Sequence, residues 1–219
     1  MADWLIWQLA DSAFPTGGFA HSSGLEAAWQ QGEVDATSLS AFVHDVITQA
    51  GHGVVPFVTA AHRESGDLGA IDSQCDAFLR NPVTNRASRV QGRAWLRTVE
   101  RAFRAAAVRT VCETARADAP FRHHAVMFGA TLRALEVELP DAQRLFLFGV
   151  CRNTLSAAVR LGLVGTMDAQ RLLAETAAHL DRTVARCASL TIDEAAQTMP
   201  LVDLWQSAHD RLYSRLFQS

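Results

Sequence analysis

Apolar residues return at intervals of three and four along most of this chain, the spacing that lines up one face of an α-helix. Leu39, Phe42, Val43, Val46, Ile47 and Ala50 form the clearest such face, with Ser38 in the N-cap position. The stretch that alternates like a strand, Leu135-Glu136-Val137-Glu138-Leu139, is short and has no partner elsewhere, so it cannot build a sheet and reads as a helix end. With no repeat, low-complexity segment or linker in its 219 residues, the chain predicts an all-α fold, residues 1–219 forming one compact helical domain of about eight to ten helices. A domain of this size buries roughly 70% of the surface its unfolded chain exposes and needs no disulfide or metal staple.

Glycine and proline set the expected boundaries. Gly51 and Gly53 interrupt the first helix, and a second runs from about Val54 to Glu64, with Pro56 in its first turn and Ser65-Gly66 as its stop. Leu68, Ile71, Cys75, Phe78 and Leu79 mark a third, closed by Asn81-Pro82. From Asn85 a further helix carries Arg86, Arg89, Arg93, Arg97, Arg101 and Arg104 at about 0, −60, −20, +20, +60 and 0° around its axis, with Trp95, Leu96, Val99, Ala102 and Phe103 roughly opposite. Two readings of that arginine face stay open: a solvated surface assisted by Glu100, or a docking surface for an acidic partner. A break is expected near Arg104, although no Gly or Pro marks a boundary from Ala105 to Ala119, and the stretch from Ala105 to Phe121 matches no recognisable feature. Pro140 opens a helix to Leu161 with Gly162 as its stop, another follows Thr166, and a last one starts at Pro200-Leu201.

Between Asp11 and Glu26 the chain must bend. Pro15 fixes its own φ and pushes Phe14 to an extended conformation, while Gly17 and Gly18 can take φ above zero. The helix that follows has two candidate caps, Thr16 and a Ser23/Glu26 capping box, and the sequence does not choose between them. A glycine turn before a helix suggests phosphate binding, but all twenty basic residues are arginine. With no lysine, the chain excludes a P-loop, a Schiff-base lysine and a Ser-Lys dyad.

The remaining chemistry is sparse. A formal charge of −3 gives no general attraction to nucleic acid or anionic membrane, so basic character is local to the arginine face, and nucleic-acid binding there is a minor alternative. Cys75, Cys112, Cys151 and Cys187 lie too far apart for a zinc knuckle or redox pair and read as buried reduced thiols of a cytoplasmic protein, with no export or membrane signal. Neither His-Glu-x-x-His nor Glu-x-x-His occurs. Glu175 and His179 make half a metal site, and His123-His124 cannot face one way on a helix. His44-Asp45 and His209-Asp210 admit one enzymatic alternative, an HD-type metal-dependent phosphohydrolase, with His21 and Asp203 as its other candidate ligands.

The bend itself, through Asp11, Ser12, Phe14, Pro15, Gly17, Gly18, His21, Ser22, Gly24, Leu25 and Glu26, resembles the N-terminal signature of the UreF-type urease accessory proteins. Further stretches resemble that family in order: Asn85-Arg86 with Gly92-Arg93 and Leu96, His123-His124 to Gly129, Arg152 with Ser156 to Gly162, and the ending from Tyr213 through Ser219. Together they span about Trp4 to Ser219. The resemblance implies a non-catalytic, dimer-forming protein that joins a UreD-type (also called UreH) accessory protein to a UreG-type GTPase for nickel delivery into apo-urease. It implies no cofactor of the chain's own, nickel being handled transiently by the complex. By the same resemblance Tyr213, Arg215, Leu216 and Phe217 become ordered on the UreD-type partner. Phe14, Pro15, Gly17, Gly18, His21, Ser22 and Glu26 at the turn, Arg86 and Arg93, and Arg152, Ser156 and Arg160 complete the implied partner-binding set. Whether the turn and the Arg152–Arg160 helix serve the dimer or the GTPase is left open.

Overall fold

The computed structural model describes residues 2–63 and 67–219, and among these lie eleven α-helices and no strand. They are α1 (Ala2–Ala10), α2 (Leu25–Gln30), α3 (Leu39–Gly53), α4 (Val55–Arg63), α5 (Leu68–Phe78), α6 (Pro82–Ala102), α7 (Ala106–Asp118), α8 (His124–Ala134), α9 (Leu139–Arg160), α10 (Thr166–Cys187) and α11 (Pro200–Ala208). Short 3₁₀ turns occupy Gly18–Ala20, Ile192–Glu194 and His209–Arg211. The expected stop at Ser65-Gly66, and Glu64 before it, lie outside the described residues.

Two apolar clusters hold these helices together. Phe57, Trp95, Met127, Leu132 and Leu147 belong to the first, and Leu39, Phe42, Ile47, Leu155 and Phe217 to the second. Helix α9, about 33 Å long at 1.5 Å per residue, runs through both. Its Leu145–Leu147 segment enters the first cluster, while Cys151, Leu155, Ala157 and Ala158 enter the second. The small pair Ala157-Ala158 is buried there, as close helix approach requires. Helix α8 is buried along its whole middle, from Ala125 to Leu132, and packs tightly on α4: a Cβ at Gly129 would stand 2.3 Å from the Val58 carbonyl oxygen.

Several boundaries differ from the sequence expectation, each for a local reason. Helix α3 continues through Gly51 and ends at Gly53, just ahead of α4, because Gly51 serves for contact: a Cβ there would meet Thr183 Cγ2 of α10 at 2.4 Å. Ser38 does not cap α3 with its side chain. Asp35 carries the turn, its Oδ1 accepting from the N–H groups of Thr37 and Ser38 and from both hydroxyls. Those bonds hold the Asp35 carboxyl down at about 2. Asn81-Pro82 does more than close α5. It starts α6 three residues before Asn85, with Asn81 Oδ1 accepting from Val83 N at 3.0 Å. The expected break near Arg104 is present, and it removes Arg104 from the arginine face, because Phe103 is already extended. Ala106–Asp118 forms its own helix, and Leu135 to Glu138 is the turn between α8 and α9. All four cysteines are buried and unpaired; burial raises every thiol, Cys112 to about 11 and Cys151 to about 12.

Candidate docking site at the glycine turn

The bend after α1 is pinned from three sides. Phe14 is buried, edge-on to Trp95 and stacked on Phe103, and the exposed Pro15 accepts a 2.9 Å hydrogen bond from Thr98 Oγ1 through its carbonyl. Gly17, at φ 81°, lies against Ala94 and Gln91 of α6. Gly18 faces α9, where an added Cβ would come within 2.1 Å of Asn153 Nδ2. From the α9 side, Arg152 donates to the Ala10 carbonyl at 2.5 Å and Arg160 to the Phe19 carbonyl at 2.6 Å. Two arginines of one family-like stretch thereby hold another at its start and at its middle.

Neither sequence candidate caps α2. Gly24 occupies the N-cap position at φ 87°, Thr16 Oγ1 instead accepts from Gly18 N, and Ser23 takes a left-handed φ of 56°. Glu26, expected as half of a capping box, is turned inward and buried. Its carboxylate accepts from Leu216 N at 2.6 Å, Phe217 N at 3.2 Å and His209 Nε2 at 3.1 Å. The chain ending thus lies on the turn that opens the molecule. Ser22 N donates to the Ser219 carbonyl at 2.6 Å, Gln218 N to the Ala20 carbonyl at 2.8 Å, and His21 Nδ1 shares a 2.5 Å hydrogen bond with Ser219 Oγ. The Arg160 guanidinium sits between the rings of Phe19 and Phe217, 3.9 and 4.3 Å from their centroids.

In the free chain, therefore, Phe217 is already ordered and buried against its own domain, and only part of the ending is left for a partner. Tyr213 is fully exposed and Leu216 about half exposed; Arg215 makes a 3.5 Å contact with Asp210, which Arg86 also engages at 2.8 Å. The structure thus gathers the turn, Arg86, Arg152, Arg160 and the ending into one continuous region. Ser156 is half-buried on α9 with no side-chain hydrogen bond to any described residue, and Arg93 lies farther along α6. His209, Asn153 and Phe19 belong to the region without having been singled out for it. His209 stood out only as part of a His-Asp dipeptide; its bond to Glu26 joins positions 183 apart, for which no local pattern exists.

Behind the region lie two cavities of about 170 and 80 Å³, both touched by His21 and His124, the larger also by Ser219, Asn81 and Gln206. The Nε2 atoms of both histidines are buried without a partner among the described residues. Burial holds His21 down at about 4, helped by His209 and Arg86, and burial followed by the neighbouring His21 does the same to His124. Both imidazoles are neutral near neutral pH. His123 is held by Asp76 and Ser88, while Asp72 accepts from three successive N–H groups, Phe121 to His123.

Neither the phosphohydrolase candidates nor the Glu175/His179 pair assembles a metal site among the described residues. His44 stacks on His179 across α3 and α10 at 4.3 Å, Glu175 pairs with Arg171, and His209 is bound to Glu26. Among the described residues no three His, Cys, Asp or Glu side chains are grouped to hold a metal ion, and no helix is long and apolar enough to cross a membrane.

Comparison with known proteins places these features in context. A family model described as UreF matches residues 34–177. The chain is 36% identical over 219 residues to urease accessory protein F of Oryza sativa subsp. indica, covering 98% of this chain and 84% of the relative. It is 36% identical over 222 residues to urease accessory protein F of Arabidopsis thaliana, covering 99% and 92%. To urease accessory protein UreF of Trichodesmium erythraeum it is 28% identical over 222 residues, covering 97% and 94%.

Proposed function

Because this chain belongs to the UreF family of urease accessory proteins, we propose that it bridges a UreD/UreH-type accessory protein and a UreG-type GTPase during GTP-dependent assembly of the urease nickel centre. In this reading the chain is a cytoplasmic, non-catalytic homodimer, and nickel is the cargo of the complex on its way to apo-urease. Its contribution is linkage: a scaffold that binds one nucleotide state of the GTPase more tightly couples that state to the rest of the assembly, and the coupling is reciprocal. The observation that carries the reading is the joining of the turn, the α9 arginines and the chain ending into one region, which displays Tyr213 and Leu216 on a buried anchor, Phe217. Exposed apolar and aromatic side chains on an ordered support suit protein docking, since little order has to be gained on binding.

The test is size exclusion with light scattering on the chain alone, with the UreD-type protein, and with the GTPase and a GTP analogue. A dimer that takes up both partners in equal numbers is the expected result. A monomer indifferent to both overturns the reading.

A further inference from the structure

We propose that the outward row of Arg93, Arg97 and Arg101 on α6 is a docking surface for an acidic protein face. This deepens the scaffold reading and rests on it for the supply of partners. Of the arginines on α6, the first two are already neutralised within the chain: Arg86 pairs with Asp210, and Arg89 pairs with Asp76 and lies over the Phe121 ring. The next three make no ion pair among the described residues, and Arg97 and Arg101 are exposed. Glu100, the one carboxylate within the row, is occupied by Arg116 of α7. A chain with net charge −3 thus carries three successive cations on one helix, about 6 Å apart along the axis, with no ion pair to any described residue.

The row also has a defined neighbour. Thr98 binds the Pro15 carbonyl and Gly17 lies against Ala94, so the arginines run beside the glycine turn, and a partner seated there touches both. Arginine presents a planar fork of donors that matches a carboxylate bidentately and is weakly hydrated, which suits it to pairing at an interface. Duplex DNA is the poorer fit. A single row of three cations neutralises few phosphates, and the remaining charge of the chain is repulsive to a polyanion.

The test compares the wild-type chain with Arg97→Glu/Arg101→Glu. The control is Arg171→Glu/Arg182→Glu, which makes the same charge change on α10. Binding to each accessory partner is measured at 50 and 300 mM salt. The expected result is a loss of about tenfold or more for one partner in the α6 variant alone, a smaller loss in Arg97→Gln/Arg101→Gln, and weaker wild-type binding at the higher salt. Unchanged binding of both partners by the α6 variants, with helical circular dichroism intact, overturns the proposal, as does wild-type binding of duplex DNA that only the α6 variants lose. A labelled polyglutamate peptide separates the two levels. If wild type takes up neither partner yet retains the peptide, and the α6 variant does not, the scaffold reading falls and the surface stands. If wild type ignores peptide and partners alike, both fall.

Discussion

Glu26 shows how much one side chain can organise. Its carboxylate is buried, and three donors converge on it from beyond residue 208: the His209 imidazole and two backbone N–H groups of the ending. Removing the acceptor leaves those donors desolvated without partners, which costs more than the bonds themselves contributed. Glu26→Ala is expected to lower stability by about 3 kcal/mol, and amide exchange at Leu216 and Phe217 should accelerate far more than exchange in α8. Equal protection of the two regions in the variant would refute the latch. His21 and His124 give the same region a pH dependence of definite sign. Both titrate at about 4 when folded, whereas a free imidazole titrates near 6.5. As pH falls below 6.5 the unfolded chain takes up protons first, so stability is full above about 6.5 and declines towards pH 4 by roughly 3 kcal/mol per histidine. Thermal midpoints between pH 7.5 and 4.5 should show that decline, and His21→Gln and His124→Gln should each flatten it. At this scale the sequence marked Glu26 and His21 through a resemblance, offered each a local or metal-binding role that the structure does not bear out, and said nothing of their partners, because contacts spanning some two hundred residues leave no local spacing.

Among the elements, what could be read ahead was whatever depends on neighbours in sequence. The faces of α3, α6 and α10 follow from apolar periodicity, and the starts of α4 and α9 from proline in the first turn. Glycine was the ambiguous signal, because the same residue permits a turn or a close approach. Gly17 and Gly24 turn the chain, while Gly51, Gly92 and Gly129 sit inside helices and let another segment come near. Gly92 is the most constrained: a Cβ there would lie 1.9 Å from the Arg122 carbonyl oxygen, in a loop held by Asp72. Backbone on both sides leaves no flexible side chain to move aside, so Gly92→Ala is expected to cost about 3 kcal/mol. Gly149→Ala, where nothing stands within 4 Å, should be neutral or mildly stabilising. Denaturant titration of both variants decides the matter: similar midpoints would mean that α6 and the loop are free to separate.

On the scale of the whole molecule, the chain ending carries two jobs that mutation can separate. Phe217 completes the second apolar cluster and stacks on Arg160, so Phe217→Ala should lose about 2 kcal/mol of stability along with any partner affinity that depends on an ordered ending. Tyr213 touches nothing that needs it, and Arg215 reaches Asp210 only at 3.5 Å between exposed side chains, a contact with little effect on folding. Tyr213→Ala and Arg215→Ala should therefore leave the thermal midpoint within a degree or two, and each should weaken the UreD-type complex about tenfold if these side chains are contact residues. Titration calorimetry beside a melting curve reads the two effects independently. Affinity lost at unchanged stability assigns Tyr213 and Arg215 to the interface, with Phe217 as its internal anchor. Affinity that falls only when the midpoint falls makes the ending a closure for the domain and moves the partner surface elsewhere, to the arginine row on α6 beside the glycine turn.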